Sequence, residues 1–371
     1  MNIKKIILIL FLNFNLLFCD ENNENAVYLL YPGPNLISFP HITESKSIDT
    51  FFQSIQNNVI SVISDGQIGL VNDNQWIGGL QTIDNLSGYW VIVDEISLLD
   101  IEGVYSNSPL YLLNSGANLI SYPFKTNQSL INALPSYLYD NIYAIIGENE
   151  AALFTENGIF GSLTTFEANK AYWFFMVNPN PFSYNNPNLF STNNIYHNTL
   201  DEEIELDYSQ SSSQSVFFIE NAYINGETIS GNSSISAYCN GTKVGGKNWS
   251  EGMIDLIAMG DDGYGYTENY CLNNDNISIN VHSNSSDYNM LIIGNEKWNN
   301  NSISIVSISN VQYGDLNFDN SLNISDLIIL IEHIIGFNVL TNNHKILISD
   351  SNEDGLINIT DLILNLELIL E

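Results

Sequence analysis

The sequence predicts a mainly β, multidomain protein: two α+β repeat modules, one β-sandwich, and a small α-helical unit at the C-terminus. Three observations carry this. The phrase "NLISFP" at Asn35–Pro40 returns as "NLISYP" at Asn118–Pro123. Seven short β-patterned runs crowd residues 200–312. The segment Gly314–Glu371 holds a polar phrase followed by an apolar helical one, and holds it twice. With 371 residues, 44% of them apolar and 12% aromatic, the chain has enough material for two to four packed cores.

Residues 1–19 read as a signal peptide. Lys4 and Lys5 precede an apolar stretch, Ile6–Phe18, broken only by Asn13 and Asn15. That stretch is too short to span a bilayer and has the layout of a secretory signal, so the expectation is a secreted, extracellular or cell-surface protein with no transmembrane segment in the mature chain. Cys19 closes the stretch and could accept a lipid anchor, but Phe18 is bulkier than the small residue such a site carries, which argues for plain cleavage nearby.

The repeat modules are expected at 26–106 and 107–180. Asn35 and Asn118 stand 83 positions apart. The same spacing puts Ile63 on Ile146, Gly78 on Gly161, Leu80 on Leu163, Thr82 on Thr165, and Tyr89-Trp90 on Tyr172-Trp173. In the first copy NLISF, VISVIS and YWVIVD are strand-like, and Ile48–Ile55 carries helical spacing. The matched positions are apolar, aromatic or glycine, as a shared core and shared turns require. Ser38 and Ser121 match without a matched His or carboxylate to activate them, so they read as strand residues. Trp90 and Trp173 could stack on a sugar ring, but their place in an apolar strand favours core packing. The copies resemble "NLISFP...GYW" modules of large secreted bacterial proteins, a resemblance that implies architecture only.

Residues 181–199, within the Asn- and Pro-rich stretch from Asn178, read as a linker. The runs EIELDY, SVFFIENAYI, SISAYC, MIDLIAM, ISINVH, NMLIIG and SISIVSI then suggest a sandwich over 200–312. Cys239 and Cys271 lie in this segment. In an oxidising compartment they are expected to pair, the alternative being two separate buried thiols. Asp261 and Asp262, with Tyr264, Tyr266, Tyr270 and Trp249 nearby, form either a plain turn or a cation- or carbohydrate-binding feature.

Within 313–371, expected as the C-terminal unit, two stretches place an oxygen-bearing side chain at nearly every second position. A hard divalent cation such as calcium takes six to eight oxygen ligands from a loop that curls round it, with ligands at positions 1, 3, 5, 7, 9 and 12. Asp315, Asn317, Asp319, Ser321, Asn323 and Asp326 fit that register. So do Asp350, Asn352, Asp354, Leu356, Asn358 and Asp361, with Leu356 at position 7, where the ligand is a backbone carbonyl. Position 6 needs a sharp turn, which Gly355 supplies easily and Asn320 nearly as well. Asp and Asn also make ordinary turns. Two matches 35 residues apart, each followed by an apolar run (Leu327–Ile335 and Leu362–Leu370), favour two calcium ions instead.

This duplicated loop resembles the type I dockerin domain. The resemblance implies that the unit folds with calcium, packs its two helices together, and plugs into a cohesin domain on a scaffold or cell surface. In such dockerins loop positions 10 and 11 form a hydroxyl pair that touches the cohesin. Here they are Ile324 with Ser325 and Ile359 with Thr360, so half of each pair departs from the pattern. The phrases "KVGGKNW" and "AMGDDGYGYTENY" upstream resemble a β module found ahead of C-terminal dockerins.

Composition removes several other functions. Nine Lys against 42 acidic residues, with no Arg, gives a formal charge of −33 and a pI near 4.1, which repels nucleic acid and anionic membranes. The missing Arg removes the bidentate clamp for phosphate. Three Cys and five scattered His do not make a zinc site. No GxSxG, HExxH or phosphate-loop motif is present. The expectation is a non-catalytic modular protein that docks through its C-terminus. The alternative is a carbohydrate-binding accessory, or a hydrolase of O-glycosyl bonds, in an extracellular polysaccharide-degrading system; glycosidase carboxylate pairs have no fixed spacing by which to find them.

Overall fold

A computed structural model describes residues 24–105, 108–187, 207–229 and 231–370. The signal stretch with Cys19, most of the expected linker, and most of the EIELDY run lie outside the described residues. What is described is mainly β, in several sheets.

The two repeats share one build. Gly33–Ser38, Gly88–Val93, Val59–Ser64, Gln67–Asn72 and Gln75–Gly78 form a five-stranded antiparallel sheet in that order. Gly116–Ser121, Ala171–Met176, Ile142–Ile146, Ala151–Thr155 and Gly158–Phe160 form the second. In the first copy a helical turn at Ile48–Phe51 passes into a 3-10 turn at Gln53–Ile55, so the expected helix is present but breaks at Phe52. The counterpart is Leu130–Ala133 with Ser136–Asn141.

Each matched residue has a matched task. Asn35 accepts from the Tyr31 amide and donates to the carbonyls of Tyr31, Gly33 and Val91; Asn118 does the same with Asn114, Gly116 and Phe174. Tyr89 accepts from the Asp84 amide and Tyr172 from that of Glu167. At Gly78 (φ +121) and Gly161 (φ +115) a Cβ would stand 2.2 Å from the carbonyl oxygen of Ile68 and of Ala151, so only glycine fits. Trp90 and Trp173 are core residues, 1% and 7% exposed.

The copies also face each other. The Ser38 amide donates to Asn169 O and the Ser121 amide to Leu86 O, both at 2.8 Å, and single bridges join Ile37 to Lys170 and Ser87 to Ile120. These contacts are reciprocal under the repeat, so the duplication forms an internal pseudo-dimer. The Ser38 and Ser121 hydroxyls are buried and donate across it to Lys170 O and Asn85 O. Gly88 lies at its centre, where a Cβ would stand 2.6 Å from that of its own counterpart, Ala171.

The second module runs further than its polar sequence suggests. Asn180–Phe182 pairs with Tyr111–Leu113, and Tyr184 is fully buried against Tyr111, Tyr122, Phe166 and Phe182. Asn and Pro content marks a linker there, yet two aromatic anchors hold it in the core.

Residues 207–229 and 231–311 build one eight-stranded sheet that folds over itself. Gln214–Ile224 pairs with Ile254–Met259 on one side and, in parallel, with Ile303–Ser309 on the other. Ser286–Ile293 changes layer: its first part pairs with Ser278–Ser283 and its end with Ile303–Ser309. Ser234–Cys239 and Thr242–Asn248 complete the second layer. Cys239 and Cys271 form a disulfide, with Cα atoms 5.3 Å apart.

This unit is not a separate bead. Leu36, Trp90, Leu119 and Trp173 of the repeats share one apolar cluster with Phe217 and Phe218. Asp255, 1% exposed, pairs with Lys247 at 2.8 Å and accepts from the amides of Ala151 and Ser162 on the second module. A buried charge is tolerable only when so fully satisfied.

The C-terminal unit contains helices Ile324–Ile334, Asn343–Ser349 and Ile359–Leu370 around Val311, Leu316, Leu330 and Ile348. The outer two begin three residues before the expected apolar runs. Asn323 caps the first, accepting from the Ser325 amide in a capping box with Asp326. The middle helix was not expected; Asn342 caps it by accepting from the Lys345 amide. Among the described residues no helix is long and apolar enough to cross a membrane.

Candidate metal centre

The loops Asp315–Asp326 and Asp350–Asp361 have one geometry. Both turn left-handed at positions 4 and 6: Phe318 (φ 62) and Asn320 (φ 63) in the first, Glu353 (φ 56) and Gly355 (φ 82) in the second. Asn and Gly take that conformation at little cost, Phe and Glu only when held there.

The carboxylates do the holding. At position 1, Asp315 accepts from the amides of Asp319 (3.2 Å) and Asn320 (2.9 Å); Asp350 accepts from Asp354 (3.1 Å) and Gly355 (2.8 Å). At position 12, Asp326 accepts from the amides of Leu316, Asn317 and Asn323, and Asp361 from those of Ser351, Asn352 and Asn358. Asn317 and Asn352, at position 3, accept from the amide at position 5. Asp319 and Asp354, at position 5, accept from the amides of Ser321 and Leu356. Asn323 and Asn358, at position 9, donate to the position-7 carbonyls of Ser321 and Leu356 and accept from the amides of Ser325 and Thr360.

The electrostatics call for positive charge. Asp315, Asp326 and Asp361 are at most 1% exposed. Burial pushes the Asp315 carboxyl above its ordinary range, loop amides oppose this, and the like charge of Asp326 adds to it. Among the described residues no lysine forms an ion pair with any of the six loop aspartates. Nor do three His, Cys, Asp or Glu side chains among the described residues stand together as a metal cage. In these loops half of the oxygen set belongs to Asn, Ser and backbone, and the carboxylates are turned onto loop amides. Buried like charges without a counter-ion, amid further neutral oxygens and in a loop of the right length, fit a hard divalent cation.

The helices that follow present a second matched feature. On the first, Ile324, Ile328, Ile331 and Ile335 are 67%, 52%, 40% and 70% exposed; on the last, Ile359, Ile363, Leu366 and Leu370 are 58%, 49%, 42% and 76% exposed. Helical spacing puts each set on one face. The stripes occupy equivalent positions and include Ile324 and Ile359; Ser325 and Thr360, also exposed, lie beside them. Contiguous apolar faces turned to solvent mark interaction surfaces.

The Asp261–Asp262 cluster is a brace. Asp262 accepts from the Ser212 amide and the Thr267 hydroxyl, Tyr264 stacks on Tyr266 with centroids 5.7 Å apart, and the Tyr264 hydroxyl meets that of Ser61 on the first module. Trp249 and Tyr270 are buried. The structure therefore favours the turn reading here. Sequence reasoning missed Gly314 and Asn365: a Cβ at Gly314 would stand 2.5 Å from the Asn365 side-chain oxygen, which accepts from the Ser351 hydroxyl. A glycine directly before loop position 1 was the available signal.

No family model, curated protein or solved structure matches this chain.

Proposed function

We propose that the C-terminal unit is a dockerin-type module that binds two calcium ions and docks the chain onto a cohesin-like partner outside the cell. The carrying observation is the equivalence, 35 residues apart, of two carboxylate loops each leading into a helix with an exposed apolar face. Asp315, Asn317, Asp319, Ser321, Asn323 and Asp326 would hold one ion. Asp350, Asn352, Asp354, Asn358, Asp361 and the Leu356 carbonyl would hold the other. Calcium would supply the positive charge that the buried aspartates lack, and the loops would then fix the direction in which each helix leaves. The upstream β units, a sandwich-like module among them, form the displayed cargo, secreted and non-catalytic in this reading.

Calorimetric titration of the full chain should return two calcium ions per chain. With calcium, the chain should capture from the parent cell envelope a protein that mass spectrometry identifies as carrying a cohesin-like domain, and chelator should release it. Ile328→Asp with Ile363→Asp should abolish capture while calcium binding persists. A stoichiometry of zero, or capture indifferent to chelator, would refute the reading.

A further inference from the structure

The first module carries an open cleft of about 540 Å³ whose amide-rich lining the second module does not repeat. Five primary amides, Gln53, Gln56, Asn74, Gln75 and Gln81, line it together with one aromatic side chain, Trp76. Two of the amides are fixed: Gln56 donates to Asn74 O and Gln81 to Gly78 O, both at 2.7 Å. Their side-chain oxygens stay free to accept. Gln53 and Gln75 are exposed. Trp76 is half-buried, its ring tilted against Phe52 at 5.8 Å, so it forms a firm wall.

The duplication supplies an internal control for whether the fold needs these groups. Backbone pairing is the same in both copies: Ile48 donates to Gln81 O where Leu130 donates to Thr164 O. At the places of Gln53, Gln75, Trp76 and Gln81 the second copy has Ser136, Gly158, Ile159 and Thr164, and at that of Asp49 it has Ile131. The same architecture therefore stands without an amide among those four or an aromatic wall. Trp76, like Ile159, also packs on the core of its module, but the fold does not require an indole there or amides at the other places.

The chemistry of the lining narrows the ligand. A primary amide both donates and accepts, which matches a hydroxyl group; a flat indole face suits the apolar side of a sugar ring. No cationic group lines the cleft, and Asp49 is its only charged one, so a phosphate or carboxylate ligand would be repelled. An extended peptide would need apolar pockets for its side chains, and Trp76 and Ile48 are the only large apolar residues in the lining. We propose that this cleft is a binding site for an uncharged glycan chain. It lies on the first module and is independent of the C-terminal loops.

The test is affinity electrophoresis of the full chain through gels containing mixed-linkage β-glucan, glucomannan, dextran or, as the charged comparison, polygalacturonate. The expected result is retardation by at least one neutral polysaccharide and none by polygalacturonate. Gln53→Ala with Gln75→Ala, both exposed and tied to nothing, should weaken it about tenfold or more, as two lost hydrogen bonds predict. Asn157→Ala, at the counterpart of Asn74, should change nothing, and chelator should leave binding intact. No retardation in any neutral gel would overturn the proposal. So would retardation that the double variant retains, or cleft-dependent capture of peptides in place of glycans.

Discussion

Removing calcium from the full chain should unfold residues 313–370 and leave the β units folded. The unit's core is small: Val311, Leu316, Leu327, Leu330 and Ile348 are its buried apolar side chains, each at most 7% exposed. Burying five such groups contributes roughly 8–15 kcal/mol before chain entropy is subtracted. A site held at a thousand times its Kd adds ~4 kcal/mol by mass action, so two sites add ~8 kcal/mol, comparable to the core itself. Chelation also leaves buried aspartates facing each other without a counter-charge. Circular dichroism at 222 nm reports mainly on this unit, because its helices hold 11, 7 and 12 residues while the other α-helices among the described residues are four-residue turns. Excess chelator should remove most of that signal, and calcium should restore it. Asp315→Ala with Asp350→Ala should lose it even in saturating calcium. An undiminished helical signal in calcium-free buffer would refute the reasoning.

Three further predictions concern two junctions and the disulfide. His344 is stacked between Tyr223 and Phe318, accepts from the Gly226 amide at Nδ1, and meets the Ser309 hydroxyl at Nε2; burial lowers its pKa to about 4. Its contribution is therefore complete above pH ~6.5 and is lost as pH falls toward 4, on the order of 3 kcal/mol in all. His344→Phe, which keeps the stack but cannot titrate, should flatten the acid limb of a denaturant series in calcium, and an equal slope in both proteins would count against this role. Glu150 has the opposite sense: burial first, then the charges of Glu167 and Asp255, raise its pKa to about 8, so its contribution is present below pH ~4.5 and lost as pH rises through 8. Glu150→Gln should gain at least about 1 kcal/mol over the native chain at pH 8.5 in urea melts and little at pH 5. Reducing Cys239–Cys271, which closes a loop across 32 residues, should cost the β unit about 4 kcal/mol by calorimetry while leaving calcium binding unchanged.

The repeats and the loops were legible because their signals are local. Positive φ at Gly78 and Gly161 leaves a glycine in each copy, and each curled loop leaves an oxygen donor at nearly every second residue. Legibility failed where one residue had to be judged by a distant partner. Tyr184 sits in Asn- and Pro-rich sequence yet fills the core because Tyr111, Tyr122 and Phe166 leave room for it. Asp255 reads as an ordinary strand acid until Ala151, Ser162 and Lys247 converge on it. The reading of Asp261–Asp262 stayed open because a turn and a site use the same residues; Ser61, some 200 positions away, makes it a brace.

By itself the sequence determined the β character, the duplication, the matched oxygen-bearing register of the two loops and the apolar periodicity of the helices behind them. Each follows from spacing along the chain, which backbone geometry converts directly into a face or a turn. Tertiary structure alone decided that the repeats meet as a pseudo-dimer, that they share a core with the following sheet, and that the amides of the first module gather round one cleft. It also decided that the stripes on the last helices stay in solvent. Periodicity says which face of an element is apolar; only the packing of every other element says whether anything in the chain covers it.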